Sequence, residues 1–140
     1  MLDPVSEGEW VAFGPGSDLV TMLRAFHAHV GAPVLNTPVN WVAPELEKLR
    51  RDLLTEEVCE LHDAVASRDM VAIADALADI VYVVVGTAVT YGVPLDDVLQ
   101  EVHRSNMTKD PGPTGKAVKG PDYSPPDVFG VLSRYAWNTR

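Results

Sequence analysis

The chain has one cysteine, Cys59, in 140 residues. No disulfide can form within it, and no Cys/His cluster has zinc-binding spacing. This composition fits a reducing, cytoplasmic compartment, and Cys59 reads as a core residue. Basic residues are also scarce. Eleven Lys and Arg stand against 20 Asp and Glu, a formal charge of -9. A polyanion would then be met only at a local basic patch or through bridging cations, which argues against nucleic acid as a partner. The opening MLDPVSEGEW has no charged segment followed by an apolar run, so no signal peptide is read there. The glycines form no Walker loop, and neither Ser17 nor Ser105 has a Ser-His-Asp context. The most apolar stretch, MVAIADALADIVYVVVGTAVTY, is interrupted by Asp75, Asp79 and Tyr91, so it reads as the centre of a bundle or an interface rather than a membrane span.

The sequence does contain strong helix punctuation. Ser17 and Asp18 start a first helix, expected over Asp18–Val30 and stopped by Gly31. Pro33 and Pro38 make APVLNTPVNWVA a loop, and Pro44 opens a second helix reaching Ser67. Asp69 caps a third, ended by Gly92. A fourth follows Pro94, carries Asp96 and Asp97 in its first turn and ends near Asn106. DVFGVLSRYAW adds a short terminal helix. The expectation is a single all-α domain over residues 1–140, a four- to five-helix bundle with an irregular arm over 1–16 and a basic Gly/Pro-rich tail over 107–126.

Acid sits where apolar residues are expected. In the second helix Leu46, Leu49, Leu53, Leu61 and Ala64 form one stripe at 100° per residue, and Glu57 and Glu60 project within it, with Glu56 at its edge. Residues three or four apart are neighbours, so these like charges converge. The third helix repeats the pattern, because Asp75 and Asp79 share a face with Tyr82 and Gly86. A short connection makes the two helices antiparallel partners, so the two acidic clusters can meet. Uncompensated carboxylates need cations, and this many hard oxygen ligands suit magnesium or manganese. A solvated acidic face is the alternative.

EEVCEL followed by DALADIVYVVVGTAVTYG, then EVHRSNMTKD and GKAVKGPDYSPPD, resembles the MazG-like all-α nucleoside triphosphate pyrophosphohydrolases. This superfamily includes dimeric dUTPases and phosphoribosyl-ATP pyrophosphohydrolases. The resemblance runs from about Leu19 to Val128 and implies divalent metal held by an ExxE motif on one helix and an ExxD motif on the next. Glu57 and Glu60 match the first motif and Asp79 matches the last acid of the second. The glutamate expected three residues before Asp79 is Ala76, and Asp75 is read as its replacement. Glu56 is implied to activate water or to hold a further metal. The implied reaction is magnesium-dependent hydrolysis of a (deoxy)nucleoside triphosphate, such as dUTP or dGTP, to the monophosphate and pyrophosphate. Manganese can replace magnesium in that scheme. A homodimer or homotetramer and a bacterial or phage-like housekeeping role go with it. The rival readings are hydrolysis of phosphoribosyl-ATP and a non-catalytic helical oligomer that binds metal or nucleotide.

Arg104, Asn106, Lys109, Lys116 and Lys119 form a local basic arm suited to phosphate oxygens. Asn36, Asn40 and Trp41 suit the reading and stacking of a base, and equally suit a turn with a packing tryptophan. Arg50 and Arg51 are expected to reach solvent or a partner subunit. His27 and His29, two apart, cannot share a helical face, so neither is read as a metal ligand. His62 and His103 read as surface groups or as groups that support the ligands from behind, and Met22, Met70 and Met107 as packing residues.

Overall fold

The computed structural model describes residues 18–137, which are all-α apart from one isolated antiparallel bridge between Asp110 and Val118. The helices are α1 (Leu19–Val30), α2 (Pro44–Ser67), α3 (Met70–Tyr91), α4 (Leu95–Asn106) and α5 (Val128–Ser133). Their ends follow the expected chemistry. The Asp18 carboxylate accepts from the Val20 N–H at 2.9 Å, and that of Asp69 accepts from Val71 and Ala72 at 3.0 and 3.1 Å. These bonds satisfy donors that a helix start leaves free. Pro44 occupies the start of α2, where no N–H is required. Gly92 closes α3 at φ 70°, and a Cβ there would lie 2.1 Å from the Thr37 carbonyl oxygen. Only glycine permits both the left-handed turn and that approach.

The 31–43 loop explains the close approach. Its Leu35 and Val39 N–H groups donate to the Val89 and Tyr91 carbonyls, each at 3.0 Å, satisfying acceptors that the last turn of α3 leaves free. α3 is central. α1 packs on one side of it, α2 runs alongside as its largest neighbour, and α5 packs on α4. The core is Leu23 of α1 with Val85 and Val89 of α3, surrounded by Val20, Met22, Val34, Tyr82 and Leu95. By length and composition α3 is also apolar enough to cross a membrane, and its Asp79 lies beside Glu57 and Glu60 of α2.

Several expectations change. Cys59 is exposed rather than core, because it lies 200° around α2 from Glu57, on the back of the helix. Leu49 is half exposed, at the edge of the stripe, and Met70 and Met107 are largely exposed rather than packed. The arm over 1–16 lies outside the described residues. The tail is held to α4 at defined points. The Ser105 hydroxyl donates to the Ser124 carbonyl at 2.8 Å, and the Ser124 N–H donates to Thr108 Oγ1 at 2.8 Å.

Candidate metal centre

α2 and α3 run antiparallel through the turn at Arg68, and the pairing brings Glu57 opposite Asp79. One carboxylate oxygen from each of Glu57, Glu60 and Asp79 lies within 4.8 Å of the others. Glu57 Oε2 is buried and has no hydrogen-bond partner. Burial pushes the Glu57 carboxyl above its ordinary pKa, and the charges of Glu60, Asp79, Glu56 and Asp75 push in the same direction. Among the described residues, the ion pairs are Lys48 with Asp52, Arg51 with Glu47 and Arg104 with Glu101, so no Lys or Arg neutralises the cluster. A buried acceptor without a donor is costly, and converging carboxylates add repulsion. A divalent cation relieves both, and an all-carboxylate donor set fits magnesium or manganese.

The remaining acids are arranged unequally around this group. Asp75 is exposed and stands outside the set of three, although its charge reaches Glu57. Ala76, at the position where the superfamily motif has glutamate, is 3% exposed. If Glu57 faces Asp79 in an antiparallel pair, three residues along each helix place Ala76 opposite Glu60. A small buried residue there leaves the supply of a second acid from α3 to Asp75. Glu56 is exposed at the rim.

The expected base-reading residues lie elsewhere in the chain. Trp41 precedes α2, and Pro44 is thirteen residues before Glu57, about 20 Å at 1.5 Å per residue. Asn36 accepts a hydrogen bond from Arg24, Asn40 accepts from the Trp137 indole at 2.8 Å, and Trp41 is 68% exposed. Their loop covers the far end of the α2–α3 pair, so within one chain they are not brought to the acids.

The basic arm is divided in use. Arg104 is already committed. It donates to both Glu101 oxygens at 3.0 and 2.7 Å, to Ser124 Oγ at 3.1 Å and to the Pro125 carbonyl at 3.0 Å. Asp127 N–H completes this clamp on Glu101 at 2.8 Å. Glu101 is consequently held at a pKa of about 2, first through the Arg104 hydrogen bond and then through the Asp127 backbone. Lys119 lies 5.1 Å from the Tyr123 ring centroid. Asn106 and Lys116 are exposed and Lys109 is half-buried.

Arg50 departs most from its expected place. It lies between α2 and α3, donating from Nε to Thr87 Oγ1 at 3.1 Å and from Nη2 to the Val83 carbonyl at 2.8 Å. Burial lowers its guanidinium pKa. Gly86 makes room, because a Cβ there would lie 2.7 Å from Arg50 Nη2 and 3.1 Å from His27 Nε2. His27 is buried, with Nδ1 donating to the Pro33 carbonyl at 2.8 Å. The one sequence signal for this crossing was a glycine inside an otherwise apolar helix.

A family profile described as phosphoribosyl-ATP pyrophosphohydrolase matches residues 23–106, which include all five acids but end before Lys109, Lys116 and Lys119. An uncharacterized protein, L479, of Acanthamoeba polyphaga mimivirus is 49% identical over 53 residues, covering 38% of this chain and 21% of that protein. The match thus spans about one-fifth of that relative's length. With the profile covering more than half of its length, the chain belongs to the MazG-like, all-α phosphoribosyl-ATP pyrophosphohydrolase family.

Proposed function

We propose that the protein is a magnesium-dependent pyrophosphohydrolase that converts a (deoxy)nucleoside triphosphate, such as dUTP or dGTP, to its monophosphate and pyrophosphate. The observation that carries this reading is the unneutralised set of Glu57, Glu60 and Asp79 with the orphaned Glu57 Oε2. A bound divalent cation supplies neutralisation of the triphosphate and a water-derived nucleophile at neutral pH. Glu57, Glu60 and Asp79 hold it, with Asp75 at the margin, and manganese can take the same oxygen donors. Glu56, exposed beside them, accepts the proton of the attacking water. Water adds to phosphorus, the bond between the α and β phosphates breaks, and pyrophosphate leaves. Asn106, Lys109, Lys116 and Lys119 contact phosphate oxygens, and Arg104 holds the tail that carries the lysines.

We further propose that the working form is a homodimer or homotetramer. α2 has one fully buried residue, Ala64, while Val58, Val65, Leu77 and Val84 of the α2–α3 pair are exposed. A second helix pair laid on such a face makes a four-helix layer. Light scattering on the eluting protein checks this, and a monomer at micromolar concentration would remove it.

The profile's description favours a second reading, with phosphoribosyl-ATP as the substrate. The deciding experiment incubates the protein with the common NTPs, dNTPs and phosphoribosyl-ATP, with magnesium or manganese, and measures pyrophosphate. Release from one or a few nucleotides supports the first reading. Release from phosphoribosyl-ATP alone selects the second. No metal-dependent turnover on any of them leaves a non-catalytic binding protein.

A further inference from the structure

The two helices that carry the acids pack against each other, and apolar contact alone is non-directional and tolerates sliding along the helix axis. Among the described residues, the side-chain hydrogen bonds from α2 to α3 both come from Arg50, to Thr87 Oγ1 and to the Val83 carbonyl. Those acceptors lie on successive turns of α3, so a planar guanidinium that bonds both is fixed along the axis as well as across it. Gly86 lies between them, and a Cβ there would lie 2.7 Å from Nη2, too close for the guanidinium to keep its seat.

The spacing connects this crossing to the acids. Arg50 lies seven residues before Glu57, and Gly86 lies seven residues after Asp79. In an antiparallel pair a single register therefore serves both meetings, Glu57 with Asp79 and Arg50 with Gly86, about 10 Å apart along the pair. A slip of one residue at the crossing moves the acids by about 1.5 Å and separates oxygens that now share one small space.

We infer that Arg50, seated over Gly86, is a positioning residue that sets the axial register of α2 on α3 and so brings Glu57 and Glu60 to Asp79. It touches neither substrate nor metal. This rests on the cluster being the metal centre of the proposed function, and the test separates the two. Nitroxide labels on the native Cys59 and on a cysteine introduced by Val71→Cys, both exposed positions, with the labelled chain diluted in excess unlabelled chain, report the α2–α3 placement by pulsed electron resonance without metal or substrate. The labelled full chain should give one narrow distance distribution. Arg50→Met should broaden or shift it, Gly86→Ala should do the same by displacing the guanidinium, and Arg50→Lys should restore it in part. In the unlabelled variants the dissociation constant for Mn2+ should rise by about tenfold or more for Arg50→Met, the scale seen when groups that orient metal ligands are removed. Circular dichroism, run first, sets a temperature at which each variant is fully helical. A distance distribution in Arg50→Met identical to that of the parent overturns the inference, as does an unchanged Mn2+ affinity in the folded variant. A parent protein that hydrolyses no nucleotide, with the distance change and the Mn2+ effect intact, sinks the hydrolase reading and leaves the register role standing.

Discussion

Glu57 and Glu101 are both helical glutamates near other charged groups, and their surroundings drive them in opposite directions. Glu101 receives an arginine fork and a backbone N–H, and its pKa falls to about 2. Glu57 receives no donor at its buried oxygen, is crowded by four acids, and its pKa rises. A carboxylate satisfied by the protein stabilises structure. One left unsatisfied next to others of its kind is ready for something from outside. The tail clamp and the acid cluster are therefore different devices built from the same residue type.

The strongest way to break this comparison is to remove acids from the cluster. Asp79→Asn and Glu60→Gln should each lower magnesium-dependent pyrophosphate release by roughly 10²- to 10³-fold, the order lost with a group that stabilises transition-state charge. Asp75→Asn should cost only about 10-fold, as expected of a residue at the margin of a metal site. Steady-state assays compare the three. Equal losses would place Asp75 on the same footing as Asp79.

A pH series on the metal-free protein sharpens the contrast through opposite signs. A carboxyl with a raised folded pKa binds its proton more tightly when folded, so Glu57 favours the fold at low pH and this contribution fades as pH rises past its ordinary 4.5. Glu101 behaves in reverse. Its contribution is full above about 4.5 and is lost as pH falls toward about 2. Thermal melts should therefore show Glu101→Gln flattening the acid limb, while Glu57→Gln removes a decline on the side above pH 4.5.

The smallest expected effect concerns the clamp. Arg104→Ala should free the 107–126 tail, seen as faster amide exchange at Asp110, Val118 and Ser124, with a smaller change in melting temperature than in exchange because Arg104 is nearly half exposed. An unchanged exchange pattern would show that the Asp110–Val118 bridge and the Ser105 and Thr108 bonds hold the tail without it.

Local signals made the helices legible. Asp18, Pro44, Asp69, Gly31 and Gly92 each act within a turn of their own position, and the helix limits they imply agree with the structure to within a residue. Three acids of the candidate site were legible for a similar reason, since Glu57 and Glu60 are helical neighbours and the short turn at Arg68 leaves α3 little choice of direction. What was not legible depends on partners distant in sequence. Arg50 looks like a surface charge until Val83, Thr87 and the missing side chain of Gly86 are set against it. Arg104 looks free until Ser124 and Pro125 return to it, and Asn40 until Trp137 arrives from 97 residues away.

The central claim is that the Glu57 cluster is a cation site held under electrostatic strain. Thermal melts of the parent protein and Glu57→Gln, each in chelator and in millimolar magnesium at pH 7.5, test it most directly. The account predicts that the parent's midpoint rises with magnesium. Glu57→Gln should start above the chelated parent and respond little to the ion. A Glu57→Gln protein that melts below the chelated parent, yet gains as much from magnesium as the parent does, would contradict it.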